Sequence, residues 1–153
     1  MSNTIKLKNY LNVFEEYDAH EAITPGMLIM VNSDDEVAVH DTADGNVLPM
    51  FAIEDELQGN GIDDAYAAGD KVQVWIPTRG DQVNALLLDE ETVVIGDFLT
   101  SGGSGYLKKL DVAASAAVIE APMIIVAQAL EALDLSSSSA ATTAAMRIKV
   151  RIV

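Results

Sequence analysis

The chain has no cysteine and only two histidines, His20 and His40, among its 153 residues. Without cysteine there is no disulfide, no thiolate nucleophile and no Cys-held zinc. The two histidines sit in different segments, with no third imidazole and no H-x-x-x-H spacing, so a histidine zinc site lacks its ligands. Aromatic residues are few, one Trp, four Tyr and three Phe, which is thin equipment for a carbohydrate-binding module. Positive charge is scarcer still. Nine Lys and Arg face 24 Asp and Glu, a formal net charge of −15. A chain this acidic is repelled by nucleic acid phosphates and anionic lipid, so neither is an expected partner. There is no apolar run of about 18 residues and no basic-then-apolar leader, and the expectation is a soluble intracellular product.

Half of the residues are apolar, and the length suits one domain that buries about 68–70% of its unfolded surface. The charge is unevenly placed. Between Lys8 and Lys71 there are 15 acidic residues and no Lys or Arg, whereas Lys6 and Lys8 at one end and Arg147, Lys149 and Arg151 at the other are basic. The acidic stretch reads as a solvated face. A sharper reading docks the basic ends on an acidic neighbour, including another copy of the chain.

Three stretches repeat a phrase in which a Gly turn feeds an aliphatic run: Pro25-Gly26 to Val31, Gly69-Asp70 to Ile76, and Gly96-Asp97-Phe98-Leu99. Glycine supplies the φ > 0 that such turns need. Ile23–Val31 and Val37–Val39 read as a hairpin about Asn32–Asp35. Lys71–Pro77 alternates, Thr78–Asp81 turns the chain, and Val83–Leu88 is expected to pair back on it. Ser101–Gly105 reads as a flexible tip. Residues 124–133 are open between a strand with a bend and a helix. Met146–Val153 alternates without a fault, a half-buried strand with a basic outer face. The predicted fold is all-β, with one or two short helices, as a compact β-barrel, β-clip-like or β-tulip-like domain. Residues 1–22 form an extended arm and 23–153 the domain.

Candidate chemistry fails group by group. Asp41–Asn46 lacks the alternating ligands and distal Glu of an EF-hand and reads as a hairpin turn. Ser101–Gly105 is not a phosphate loop. Arg79-Gly80-Asp81 reads as a turn. The acidic pairs Asp34-Asp35, Asp63-Asp64 and Glu90-Glu91 point their side chains apart on loops. Trp75, on the polar side of its strand, is either core packing or an interface anchor. No catalytic residue, metal or cofactor is assigned.

Several phrases in order, Lys8-Asn9-Tyr10, Ala22–Ile29, Met50–Gly59, Tyr66–Val72, Val94–Leu99, Gly105-Tyr106-Leu107 and Ala127–Ala132 before the basic final strand, give the chain a resemblance to the capsid decoration (cement) proteins of tailed bacteriophages. The resemblance covers most of the chain. It implies a non-enzymatic β domain on the outer surface of an assembled phage head, commonly a homotrimer at three-fold and quasi-three-fold positions, clamping major capsid protein subunits. Ser136–Ser139 departs from that pattern. The N-terminal segment is then the arm expected to order on the capsid, with Lys6, Lys8, Tyr10, Phe14 and Tyr17 as contact residues, and its deletion is expected to leave a folded protein unable to bind heads. The alternatives are another virion part, a tail-tube or head-fibre base subunit, and a β-clip ligand-binding domain or enzyme.

Overall fold

The computed structural model describes residues 2–111, 125–137 and 146–153. The Ala-rich stretch 112–119, Pro122 and most of the Ser/Ala/Thr tract lie outside them.

Four turns set the architecture. Thr24–Met27, Ala67–Asp70, Thr78–Asp81 and Val94–Asp97 are each closed by the N–H of the fourth residue donating to the carbonyl of the first, at 3.0–3.1 Å. The third residue is always glycine with φ between +86° and +97°, the geometry of a type II turn. In three of them the fourth residue is Asp, whose carboxylate also accepts the N–H of the first residue at 2.8–3.0 Å. In the remaining turn the thioether of Met27 takes that place, 3.4 Å from Thr24 N.

The strands so launched build two main sheets. One has six strands in the order β1 (Lys6–Lys8), β7 (Gln82–Leu86), β13 (Arg147–Ile152), β11 (Ala127–Ala129), β9 (Phe98–Gly103), β10 (Tyr106–Lys109). The other has five, in the order β3 (Ile29–Val31), β4 (Glu36–Val39), β2 (Val13–Ala19), β6 (Lys71–Ile76), β5 (Phe51–Ala52). A short ribbon pairs β8 (Thr92–Val93) with β12 (Leu133–Asp134). The helical content among the described residues is a 3₁₀ turn at Glu56–Gln58, capped by Asp55 and ended by Gly59 in the left-handed region. The all-β expectation is met.

The larger core lies between the sheets, where Val83, Ala85, Leu99, Ile148, Val150 and Ile152 meet Ile5, Leu28, Phe51 and Trp75. A second cluster, with Ile23, Ile29, Val37, Tyr66, Val72 and Val74, lies on the other side of the five-stranded sheet. Trp75 is fully buried and faces the first cluster, while Val72 and Val74 of the same strand face the second. Its position among polar residues in the alternation is thus a second core face.

Three local expectations are corrected. β7 does not pair back on β6; it crosses to the other sheet and pairs with β1 and β13. The cause is Asp81, wholly buried, whose carboxylate holds Thr78 on one oxygen and Tyr10 N, 71 residues away, on the other. Asp41–Asn46 is a turn between β4 and β5, which are not neighbours, and so no hairpin. Ser101–Gly105 is no loose tip: Ser101 to Gly103 are strand, and Gly105 N–H donates to His40 O while Gly105 O accepts Leu28 N–H. The Ile29–Val39 hairpin forms as expected, and 127–129 is strand.

β13 alternates, but it lies in the middle of its sheet. Lys149 and Arg151 face out; Arg147 does not. It is 7% exposed, donating to the carbonyls of Pro25 (2.9 Å) and Ile62 and to Asp63 (3.2 Å). Within the 1–22 segment, β1 lies in the six-stranded sheet and β2 pairs along six residues of β6 in the other.

Candidate functional site

A short side-chain contact in the interior joins His40 Nδ1 to Ser101 Oγ, 2.7 Å. It has the spacing of a base and a nucleophile. Its surroundings give it another role. The Asn46 carbonyl 3.2 Å from Nε2 can only accept, which puts the ring proton there and makes Nδ1 the acceptor of the Ser101 hydroxyl. Ser101 Oγ also accepts Gly103 N–H. Both side chains are buried, and neither lines the two open clefts described below. The pair is a strut between sheets. Among the described residues no group of three or more His, Asp or Glu is arranged to hold a metal, and no helix is long and apolar enough to cross a membrane.

What remains is surface. Four exposed large apolar side chains gather where the chain passes from β1 to β2, Tyr10 (69% exposed), Leu11 (62%), Val13 and Phe14, and a smaller group, Val94, Ile95 and Phe98, lies about the turn before β9. A short link between two sheets has no room to fold the first four inward. Tyr10 rests on the Gly80 turn, its ring edge 3.7 Å from where a Cβ would stand. Phe14 lies opposite Trp75, which lies opposite Phe51, so one aromatic row runs from the core to the surface. At its outer end Lys6 Nζ stands 4.6 Å from the centre of the Phe14 ring, a cation–π contact. Lys6 and Phe14 line an open cleft of about 320 Å³ with Thr4, Ile53, Gln73 and the Glu54–Leu57 turn. Leu57 there is 96% exposed. A smaller cleft adjoins it across Glu54 and Glu56, reaching Asn3 and Gly59–Gly61. Glu54 is buried, its carboxylate accepting Ile5 N–H at 3.1 and 3.3 Å.

The structure divides the five sequence-predicted contact residues among three places. Lys6 and Phe14 share the cleft. Lys8 and Tyr10 lie at the β1 edge of the six-stranded sheet. Tyr17 is on β2 farther along, donating to Glu15 at 2.7 Å, and that hydrogen bond raises its pKa.

Charge is sorted across the molecule. Lys71, Lys108, Lys109 and Arg147 are paired with Asp18, Asp44, Asp97 and Asp63. Lys6, Lys8, Arg79, Lys149 and Arg151 make no salt bridge among the described residues. Lys8, Gln82, Arg151, Gln128 and Phe98 stand directly opposite one another across five adjacent strands. Opposed residues share a face, so they form one outward row about 19 Å long. Lys149 lies beside it, its N–H held by Glu131, and Arg79 is on the turn that opens β7. At the β2–β4 edge the sign reverses. Glu15, Glu16, Glu21, Asp34 and Asp35 are exposed and make no salt bridge among the described residues; the basic side chains near them, Lys71 and His20, are held by Asp18 and Glu36. His20 is raised in pKa by its hydrogen bond to Glu36, with Glu21 and Asp34 adding to it.

The row is the feature that sequence reasoning missed, whereas the second core face is the core-packing alternative for Trp75. The row rests on register between strands far apart in sequence, and only the alternation of β13 signalled part of it.

These features describe a two-sheet β domain whose distinguishing chemistry is displayed on its surface. Such a domain is known: the fold is that of the head fiber gp8.5 N base in bacteriophage phi29, with a TM-score of 0.57 over 94% of this chain and 95% of that one, at 14% sequence identity. No family model and no curated protein sequence matches the chain.

Proposed function

We propose that this chain is a non-enzymatic virion structural protein that docks on the outside of a tailed-phage head through the Tyr10–Phe14 link and the adjoining cleft. The observation that carries the reading is the near end-to-end likeness in fold to a head fiber base. The exposed Tyr10, Leu11, Phe14 and Leu57 support it. Large apolar and aromatic side chains gathered on one part of a surface are what interface centres are made of. Lys6 and Lys8 beside them suit acidic groups on a major capsid protein. Bound as a cement, in three-fold arrangement as a homotrimer, the protein stabilises the assembled lattice by mass action, about 2.7 kcal/mol per site at a hundred times its Kd.

A second reading is favoured by the same likeness: the chain is the base on which a fibre stands, attached to the head without strengthening it. Purified heads lacking the protein separate the two. Added protein should appear as external density in electron micrographs, and Tyr10→Ala with Phe14→Ala should weaken binding by about thirtyfold or more, as truncating an interface anchor does. A higher temperature of DNA release marks a cement; density without that rise marks a fibre base. Failure to bind heads overturns both.

A further inference from the structure

We propose that copies of this chain associate head to tail, the cation-bearing outer face of the six-stranded sheet of one copy seated on the acidic β2–β4 edge of the next. This goes beyond head docking and does not rest on it: Lys8 and the β2 backbone at Val13 and Phe14 are shared with the docking surface, but Arg79, Lys149, Arg151 and the acidic residues are not, and both halves of the contact are present in one chain.

Four observations support it. The side chains of Lys8, Arg79, Lys149 and Arg151 make no salt bridge among the described residues, whereas Lys71, Lys108 and Lys109 each hold an Asp. Second, Lys8 and Arg151 are held in register by strand pairing, with Gln82 between them and Gln128 beyond, so the row is fixed by the sheet and polar as far as Phe98 at its end. Third, the opposite sign is presented by Glu15, Glu16, Glu21, Asp34 and Asp35 on a different sheet. Fourth, that acidic edge has open backbone. β4 pairs with β2 only at Asp18 and Ala19, which leaves Val13–Tyr17 with β6 on one side and no described strand on the other.

The overall charge of −15 opposes self-association, and distance decides which effect prevails. Two domains of this size sit with their centres more than about 30 Å apart. The Debye length is about 10 Å at 0.1 M salt, so the whole-molecule repulsion is mostly screened there. Opposite charges brought within a few ångströms at a contact are not. Because the two surfaces differ, the contact is heterologous, and it propagates from copy to copy until a ring closes.

Light scattering on the full chain at about 100 μM tests this. In 0.1 M salt the mass should be a multiple of 16.3 kDa, falling to that of one chain in 1 M salt. Lys149→Glu with Arg151→Glu should give single chains in 0.1 M salt, and so should Glu15→Lys with Glu16→Lys, each with an unchanged circular dichroism spectrum. Combining all four should restore the assembly. Single chains of the unaltered protein in 0.1 M salt, an assembly that ignores either reversal, or a combined variant that stays single would each overturn the proposal. So would a single-chain protein whose Lys149→Glu, Arg151→Glu variant loses head binding, since the face then serves another protein.

Discussion

Gly26 is held at φ +92°, and a Cβ built on it would stand 2.6 Å from Arg147 Nη1 and 3.1 Å from the carbonyl oxygen of Asn84. Backbone geometry and close approach therefore demand glycine together, and Pro25-Gly26 is the point where the buried guanidinium is gripped. Gly26→Ala is expected to cost about 2–4 kcal/mol in urea unfolding, from left-handed strain plus displacement of Arg147. Gly59→Ala, at φ +82° in open space, should cost only about 1 kcal/mol. Tyr66 gives a pH-dependent counterpart. Its hydroxyl donates to Ile53 O at 2.7 Å, and burial pushes its pKa up to about 12 from 10.0. The neutral phenol is the form the fold favours, so its contribution is complete below pH 10 and is lost as pH rises towards 12. Alkaline unfolding should steepen across that window, and Tyr66→Phe should flatten it while costing about 1 kcal/mol at neutral pH. Arg147 and Asp81 were not legible as buried ions. Their partners, Pro25 and Ile62 for one and Tyr10 for the other, lie 71 to 122 residues away.

Among elements, the turns were the most readable part of the chain. A type II turn needs only glycine at its third position, and the following Asp closes it within four residues. Gly69-Asp70 and Gly96-Asp97 thus announced β6 and β9 from local chemistry alone. Strand partners were less readable. Thr78–Asp81 looks like a hairpin turn, yet Gly80 N–H donates to Ile152 O and carries the chain to the other sheet. The alternation of β13 predicted its faces correctly except at Arg147, and it could not tell a central strand from an edge. The exposed Tyr10–Phe14 link was visible as an apolar, aromatic-bearing segment, whereas the outward row was not, because it is assembled from five separate strands. The pairing of β1 and β2 also changes what truncation does. Removing residues 1–18 deletes a sheet edge and the strand along β6, and it strips Asp81 of the Tyr10 N–H. That truncation is expected to abolish the cooperative thermal transition, so head binding has to be tested with point variants. A normal melt of the truncated protein would show that the two strands are dispensable.

For the whole molecule, the two sheets are joined by a few crossing points: Arg147 into the Pro25 and Ile62 carbonyls, His40 onto Ser101, and Tyr10 onto Asp81. These, with the core between the sheets, make one body with an apolar link, a basic row and an acidic edge in different places. Trp75 sits at the centre of this body, between Phe14 and Phe51, fully buried and with no hydrogen-bond partner for its indole N–H among the described residues. As the single tryptophan, it makes the chain its own optical probe. Its emission belongs to a dry indole while the sheets stay clasped and shifts to the red when water enters the seam, so opening of the fold can be followed without a label.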